Sequence, residues 1–128
     1  MRLEHVAFQV SEPAAMAAWY AANLGFSIRR GVDAPVVARF MADASGSVML
    51  EVYYNPKAAV PDYGSLDPTQ LHIAVLSADV PADALRLVAA GATLVSGPEA
   101  VGSDVFAMLR DPWGMPLQLV RRGQPMLT

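Results

Sequence analysis

The strongest constraint on this chain is an internal offset. It has two histidines, His5 and His72, which lie 67 residues apart, and Glu51 and Gln118 are separated by the same 67 residues. Each histidine therefore precedes its partner by 46 residues. Gly25 and Gly91 are offset by 66. Few other residues coincide between the halves, so position and pattern carry the repeat. A chain of 128 residues can build one real core, and here that core is expected to come from one fold unit used twice.

The hydrophobic periods agree with duplication. Residues 3–10 (LEHVAFQV) alternate, with Val6, Phe8 and Val10 on one face and His5, Ala7 and Gln9 on the other. Ser11 is the expected helix cap and Pro13 lies in the first turn. Met16, Trp19, Tyr20 and Leu24 then recur at helical spacing until Gly25. Strands are expected near 26–30, 35–42 and 47–54. Residues 55–69 carry three prolines and a glycine and read as a linker. The order then restarts with a strand at 71–76, a helix opened by Asp79 and Pro81 and closed by Gly91, and strands near 92–96, 103–110 and 116–121. The fold class expected is α+β. Two tandem βαβββ modules, 1–54 and 70–122, form a cup-shaped mixed sheet, joined by a linker at 55–69 and followed by a tail at 123–128. A single ferredoxin-like α+β domain is the alternative, but it explains three strands after each helix poorly.

Composition narrows the function classes. Hydrophobic residues make up 54% and charged residues 16%, which excludes a disordered chain. A formal charge of -3 without a basic cluster argues against nucleic acid. There is no cysteine, so a metal would have to use His, carboxylate, amide or water. No apolar run reaches membrane-helix length. The chain passes from Met1 directly into strand alternation, with no room for a signal peptide, so a cytoplasmic protein is expected.

The alternation puts His5, Glu51, His72 and Gln118 on the sheet faces turned away from the helices. Val6, Phe8, Val48, Leu50, Val52, Leu71, Ile73, Leu117 and Leu119 take the other faces. Ala7 and Ala74 follow each histidine by two, leaving room beside each imidazole. Two imidazoles, a carboxylate and an amide in a shared hollow suit a divalent ion such as Zn, Ni, Co, Mn or Fe. A lone strand histidine is more often structural than ligating. Here both histidines of the chain fall at equivalent points of a repeat, and that favours a site. Tyr53 shares the face of Glu51 and is a candidate substrate contact. Arg39 is another, although a strand arginine more often makes a salt bridge. Trp19, Tyr20, Tyr54 and Trp113 are further aromatic candidates, the first two fitting the helix core stripe better. The linker, with Tyr63, is a possible lid on grounds of length and composition.

These segments resemble the vicinal-oxygen-chelate superfamily of glyoxalases, bleomycin-resistance proteins and extradiol dioxygenases. The resemblance is carried by LEHVAFQVSEPAAMAAWYAANLGF (3–26), LEVY (50–53), LHIAV (71–75) and DPWGMPLQLV (111–120), the last similar to the family's Asp-Pro-x-Gly turn before its final metal-bearing strand. It implies paired βαβββ modules and metal ligands at His5, Glu51, His72 and Gln118. For a chain of this length it also implies a homodimer with the site at the subunit interface. The departure is Gln118, where glyoxalase-like enzymes usually carry Glu. An amide cannot serve as a general base near neutral pH, so Glu51 would be the catalytic carboxylate. Three activities compete. The first is a metal-dependent lyase or isomerase acting on a small substrate with vicinal oxygens through a metal-stabilised enediolate. The second is a two-His-one-carboxylate dioxygenase. The third is a metal-free small-molecule binder of the bleomycin-resistance type.

Overall fold

The computed structural model describes residues 1–127. Among the described residues, two helices, one short 3-10 turn and eight strands follow one another. Contacts divide it into unit 1, Met1–Pro61, and unit 2, Asp62–Thr128. Unit 1 contains β1 (His5–Gln9), α1 (Pro13–Leu24), β2 (Ser27–Val32), β3 (Val37–Ala42) and β4 (Met49–Tyr54). Unit 2 contains β5 (Ile73–Leu76), α2 (Val80–Ala89), β6 (Thr93–Val101), β7 (Asp104–Arg110) and β8 (Pro116–Arg121). Each unit is βαβββ, and each forms its own four-stranded mixed sheet, in the orders β1-β4-β3-β2 and β5-β8-β7-β6. Among the described residues no helix is long and apolar enough to cross a membrane.

The two sheets share one pairing scheme. The first strand runs parallel to the last, with Ala7 opposite Glu51 in unit 1 and Ala74 opposite Gln118 in unit 2. The remaining pairs are antiparallel. A parallel pair needs a crossover, and in each unit the helix and two strands supply it. Packing then follows the alternation. Met16 and Tyr20 of α1 and Met41 and Val52 of the sheet are fully buried in unit 1, as are Leu87, Leu109, Leu117 and Leu119 in unit 2. A buried side chain of this size contributes about 1.5–3 kcal/mol, so these helix-facing residues anchor each module.

Three local details differ from the sequence expectation. Glu12, not Ser11, is the N-cap of α1, and it makes no side-chain cap bond. Pro13 takes the first helical position, so Ser11 stands one residue too early to reach the free amides. Strand β6 continues past Gly97-Pro98 to Val101, whereas the Gly-Pro pair reads as a strand end. The register shifts between Ser96 and Glu99 absorb the pair, and an edge strand tolerates proline. The segment after residue 61 is also packed. Tyr63 is buried within a 3-10 turn (Tyr63–Ser65), and Arg110 donates to the carbonyls of Tyr63 at 3.0 Å and Leu66 at 2.8 Å.

The Asp111–Gly114 turn aims β8. Asp111 is buried, and its carboxylate accepts from the amides of Trp113 at 2.9 Å and Met115 at 3.0 Å. Gly114 has φ +89°, and a Cβ there would stand 2.8 Å from the Gly64 amide nitrogen and 2.9 Å from its Cα. Backbone cannot retreat as a side-chain tip can. Gly114→Ala is therefore expected to destabilise the protein by about 3 kcal/mol in chemical denaturation. A change within about 0.5 kcal/mol would show that the turn and the 63–65 segment are not in contact.

A second test lies where β5 hands over to α2. Asp79 caps the helix by accepting from the Ala82 amide at 3.0 Å. The buried Ser77 hydroxyl donates to Asp83 at 2.7 Å. That bond, followed by Arg86, holds the Asp83 carboxyl below its ordinary 3.8. A lowered folded value stabilises the fold above the ordinary aspartate range, and the contribution is lost as pH falls through the lowered value. Ser77→Ala should cost about 1 kcal/mol at pH 7, and the difference from the parent should shrink below about pH 3. Urea titrations at both pH values measure it. A penalty independent of pH would contradict the Ser77–Asp83 assignment.

Candidate functional site

The site begins with the first and last strand of unit 1. His5 opens β1 and Glu51 lies in the middle of β4, on the sheet face opposite α1. Parallel pairing sets Ala7 beside Glu51, so His5 reaches Glu51 across the diagonal, over the small alanine. His5 Nε2 stands 3.3 Å from Glu51 Oε2. His5 Nδ1 lies 3.0 Å from Glu4 Oε1. Phe40, paired with Glu51 in the neighbouring strand, meets the His5 ring edge-on at 5.5 Å between centroids. Glu51 is largely covered, its side chain 20% exposed against 34% for His5.

Unit 2 repeats the strand pairing with changed chemistry. Gln118 takes the position of Glu51 in β8 and Ala74 that of Ala7. His72 stands immediately before β5, and its Nδ1 lies 2.8 Å from the Pro68 carbonyl. That carbonyl is set by a compact turn, in which Asp67 accepts from the Thr69 amide at 2.8 Å and the Gln70 side chain accepts from the Asp67 amide at 2.9 Å. The hydroxyl and amide of Thr69 hold the Asp67 carboxyl below its ordinary range. Met108 takes the place of Phe40 opposite the last strand's polar residue. Gln118 lines a recess of about 230 Å³ with Ser96, Glu99, Phe106 and Met108.

Tyr53 lies on the Glu51 face, half-buried, opposite Gln9 and Ala38. Arg39 is paired in register with Val52, which puts it on the helix side. There it bonds Asp33 at 2.8 Å and the carbonyls of Val32 and Ala38. It is thus a structural ion pair on the face away from His5 and Glu51. Trp19 stacks edge-on with Tyr20 in the helix, Tyr54 lies on the face away from Glu51, and the Trp113 amide belongs to the Asp111 turn. Among the described residues no three His, Asp or Glu side chains stand together as a ready metal cluster.

Sequence reasoning missed two residues on these inner faces. Gln9 is buried, and it donates to the carbonyls of Asn55 and Ala58 and accepts from the Asn55 amide at 2.9 Å, securing the exit of β4. The alternation from His5 through Ala7 already placed it there. Glu99 lies in the part of β6 beyond Gly97-Pro98, so a strand ended early at 96 conceals it.

The duplicated βαβββ sheets match a known family. The profile of the Glyoxalase/Bleomycin resistance protein/Dioxygenase superfamily covers residues 2–119. The chain belongs to this superfamily. Members often use divalent metals, typically bind small molecules and often dimerise. Among solved structures, an antibiotic binding protein, TnmS3, from Streptomyces sp. CB03234 is similar at 21% identity, with a TM-score of 0.74 over 96% of this chain and 97% of that one. A glyoxalase/bleomycin resistance protein from the same Streptomyces strain matches at 22% identity and TM-score 0.64, over 92% of this chain and 98% of that one. An E144Q mutant of glyoxalase I from Zea mays matches at 25% identity and TM-score 0.77, over 96% of this chain and 46% of the maize chain. No curated protein sequence matches.

Proposed function

We propose that the protein binds a divalent metal through His5, Glu51, His72 and Gln118 and acts as a glyoxalase-like lyase or isomerase on a small molecule with two adjacent oxygens. The observation that carries this reading is the matched anchoring of the two imidazoles. Each has Nδ1 against an oxygen acceptor, the Glu4 carboxylate for His5 and the Pro68 carbonyl for His72. A proton on Nδ1 in each ring would leave Nε2 as the lone-pair donor, the usual arrangement behind a metal-bound histidine. At 3.3 Å, His5 Nε2 and Glu51 Oε2 stand close enough to serve one cation together. The donor set of two imidazoles, one carboxylate and one amide fits a borderline cation such as Zn or Ni.

In this reading each unit supplies two donors, drawn from one chain or from two subunits of a homodimer. A divalent ion held there supplies Lewis acidity, polarising a carbonyl oxygen of the substrate. The chain's own residues do the rest. Glu51 is the ligand-position carboxylate able to accept a proton, because the Gln118 amide has no basic site near neutral pH. Phe40 and Ala7 keep the His5 ring and the Glu51 carboxylate at a fixed diagonal. Tyr53, two residues after Glu51 on the same face, borders the space for substrate.

The account expects about one metal ion per chain in protein purified without a metal-affinity tag and supplied with zinc or nickel. Loss in His5→Ala and in His72→Ala is expected to exceed the 10–100-fold typical of supporting residues. Elemental analysis and calorimetry measure both. Conversion of 2-oxoaldehyde–thiol adducts by the loaded protein, abolished in Glu51→Gln, would support the isomerase. Oxygen uptake with ferrous iron and catechols would favour the dioxygenase instead. Failure to hold any of these metals would contradict the proposal. A second reading, ligand binding without turnover, draws on Gln118: replacing a proton-accepting side chain by an amide keeps the shape of the site and removes half of its acid-base capacity.

A further inference from the structure

In unit 2 one side chain ties together the segments that lead to His72 and to Gln118. Arg110 ends β7, half-buried, and by alternation it lies on the sheet face of Met108 and Gln118. Its guanidinium donates to the carbonyls of Leu66 at 2.8 Å, Tyr63 at 3.0 Å and Gly114 at 3.2 Å. A rigid fork with five donors can hold three carbonyls in fixed directions, which the compact ammonium of a lysine cannot.

On one side of Arg110, Leu66 ends the Tyr63–Ser65 turn and leads into a second turn, 67–70. The second turn closes on itself. The Gln70 amide donates to the Asp67 carbonyl at 2.8 Å, the Gln70 side chain accepts from the Asp67 amide at 2.9 Å, and the Asp67 carboxylate accepts from the Thr69 amide at 2.8 Å and hydroxyl at 2.7 Å. Pro68, inside that turn, presents its carbonyl 2.8 Å from His72 Nδ1. A carbonyl can only accept, so this bond requires the proton on Nδ1 and leaves the lone pair on Nε2. On the other side, the Gly114 carbonyl belongs to the turn that Asp111 closes and that opens into β8, which carries Gln118. A Cβ on Gly114 would stand 2.8 Å from the Gly64 nitrogen, so the two segments touch as well as share an anchor.

Unit 1 is built differently. The offset of 67 puts Asp43 where Arg110 stands in the repeat. Asp43 accepts from the amides of Ser45 and Gly46, both at 3.1 Å, and so closes its own turn between β3 and β4. His5 Nδ1 meets the neighbouring Glu4 carboxylate instead of a distant carbonyl. We propose that Arg110 is a positioning residue for the metal donors of unit 2: by fastening the 63–66 segment and the 111–114 turn to β7, it fixes the Pro68 carbonyl that orients His72 and the turn that aims Gln118. It acts through the backbone of Leu66 and Gly114. The assignment deepens the metal reading above and rests on it for the roles of His72 and Gln118.

Ring-nitrogen NMR spectra of the metal-free full chain test it, with His5 in unit 1 as the internal reference. Arg110→Met should move His72 away from the Nδ1-protonated form and leave His5 unaltered. Arg110→Lys should move His72 in the same direction by less. Arg122→Met breaks the 2.7 Å bond to Asp104 between β7 and the end of β8, and it should move neither histidine. Zinc affinity by calorimetry should fall about 10–100-fold in Arg110→Met. A parent His72 protonated at Nε2, an unmoved His72 in Arg110→Met, His5 changing as much as His72, or the same change in Arg122→Met overturns the inference. Should Arg110→Met not fold, an unmoved His72 in Arg110→Lys overturns it. Because the spectra need no metal, the two claims fail separately. A His72 that moves in the variant of a parent that binds no zinc removes only the metal reading. Full zinc affinity with an unmoved His72 in the variant removes only this inference.

Discussion

Parallel pairing of the first and last strand of each module is the interaction on which the rest depends. Parallel register puts Ala7 beside Glu51 and Ala74 beside Gln118, so His5 lies diagonally across from Glu51, while His72 stands just ahead of β5. The helix and the two intervening strands are the crossover such a pair requires. A one-residue slip would turn Glu51 or Gln118 into the helix-facing core and bring Val52 or Leu119 out. The complete burial of Val52 and near-complete burial of Leu119 oppose that slip. Core packing on the helix side thus holds the polar residues of the opposite face in register.

The two half-sites share a backbone plan and differ in function-bearing chemistry. Unit 1 has a carboxylate, an aromatic neighbour in Phe40, and Gln9 tying down the exit of β4. Unit 2 has an amide, the flexible Met108, and exposed Leu76 where Gln9 stands in the repeat. Duplication explains the common geometry, and divergence explains the division of labour. Unit 1 presents a carboxylate on this face, while unit 2 presents an amide and a more apolar, more exposed surface.

Most of this was legible in the sequence because it rests on period and offset. Alternation gave the faces of His5, Glu51, Tyr53 and Gln118, and proline and glycine marked α1 at both ends. What escaped was decided by tertiary contact. Gly97-Pro98 has the local signature of a strand end, yet pairing with β7 carries β6 through it, and Glu99 comes to lie beside Phe106 only because of that extension. Tyr63 has the neighbours of a loop residue, but Arg110, distant in sequence, fastens its turn. Arg39 has the same alternation signal as any strand residue, and only its register with Val52 shows that it faces away from His5. Anchoring of both imidazoles through Nδ1 depends on a neighbouring side chain in one case and a turn carbonyl in the other, which no spacing rule encodes.

The central claim is that both imidazoles present Nε2 to a single cation. Long-range proton–nitrogen NMR correlation spectra report it directly, since the chain has only two histidines. The account predicts that both rings, in metal-free protein at mildly alkaline pH, are the tautomer protonated at Nδ1. It also predicts that the Nε2 resonances of both shift on adding one equivalent of zinc. Rings protonated at Nε2, or two histidines whose nitrogen resonances ignore the metal, would contradict it.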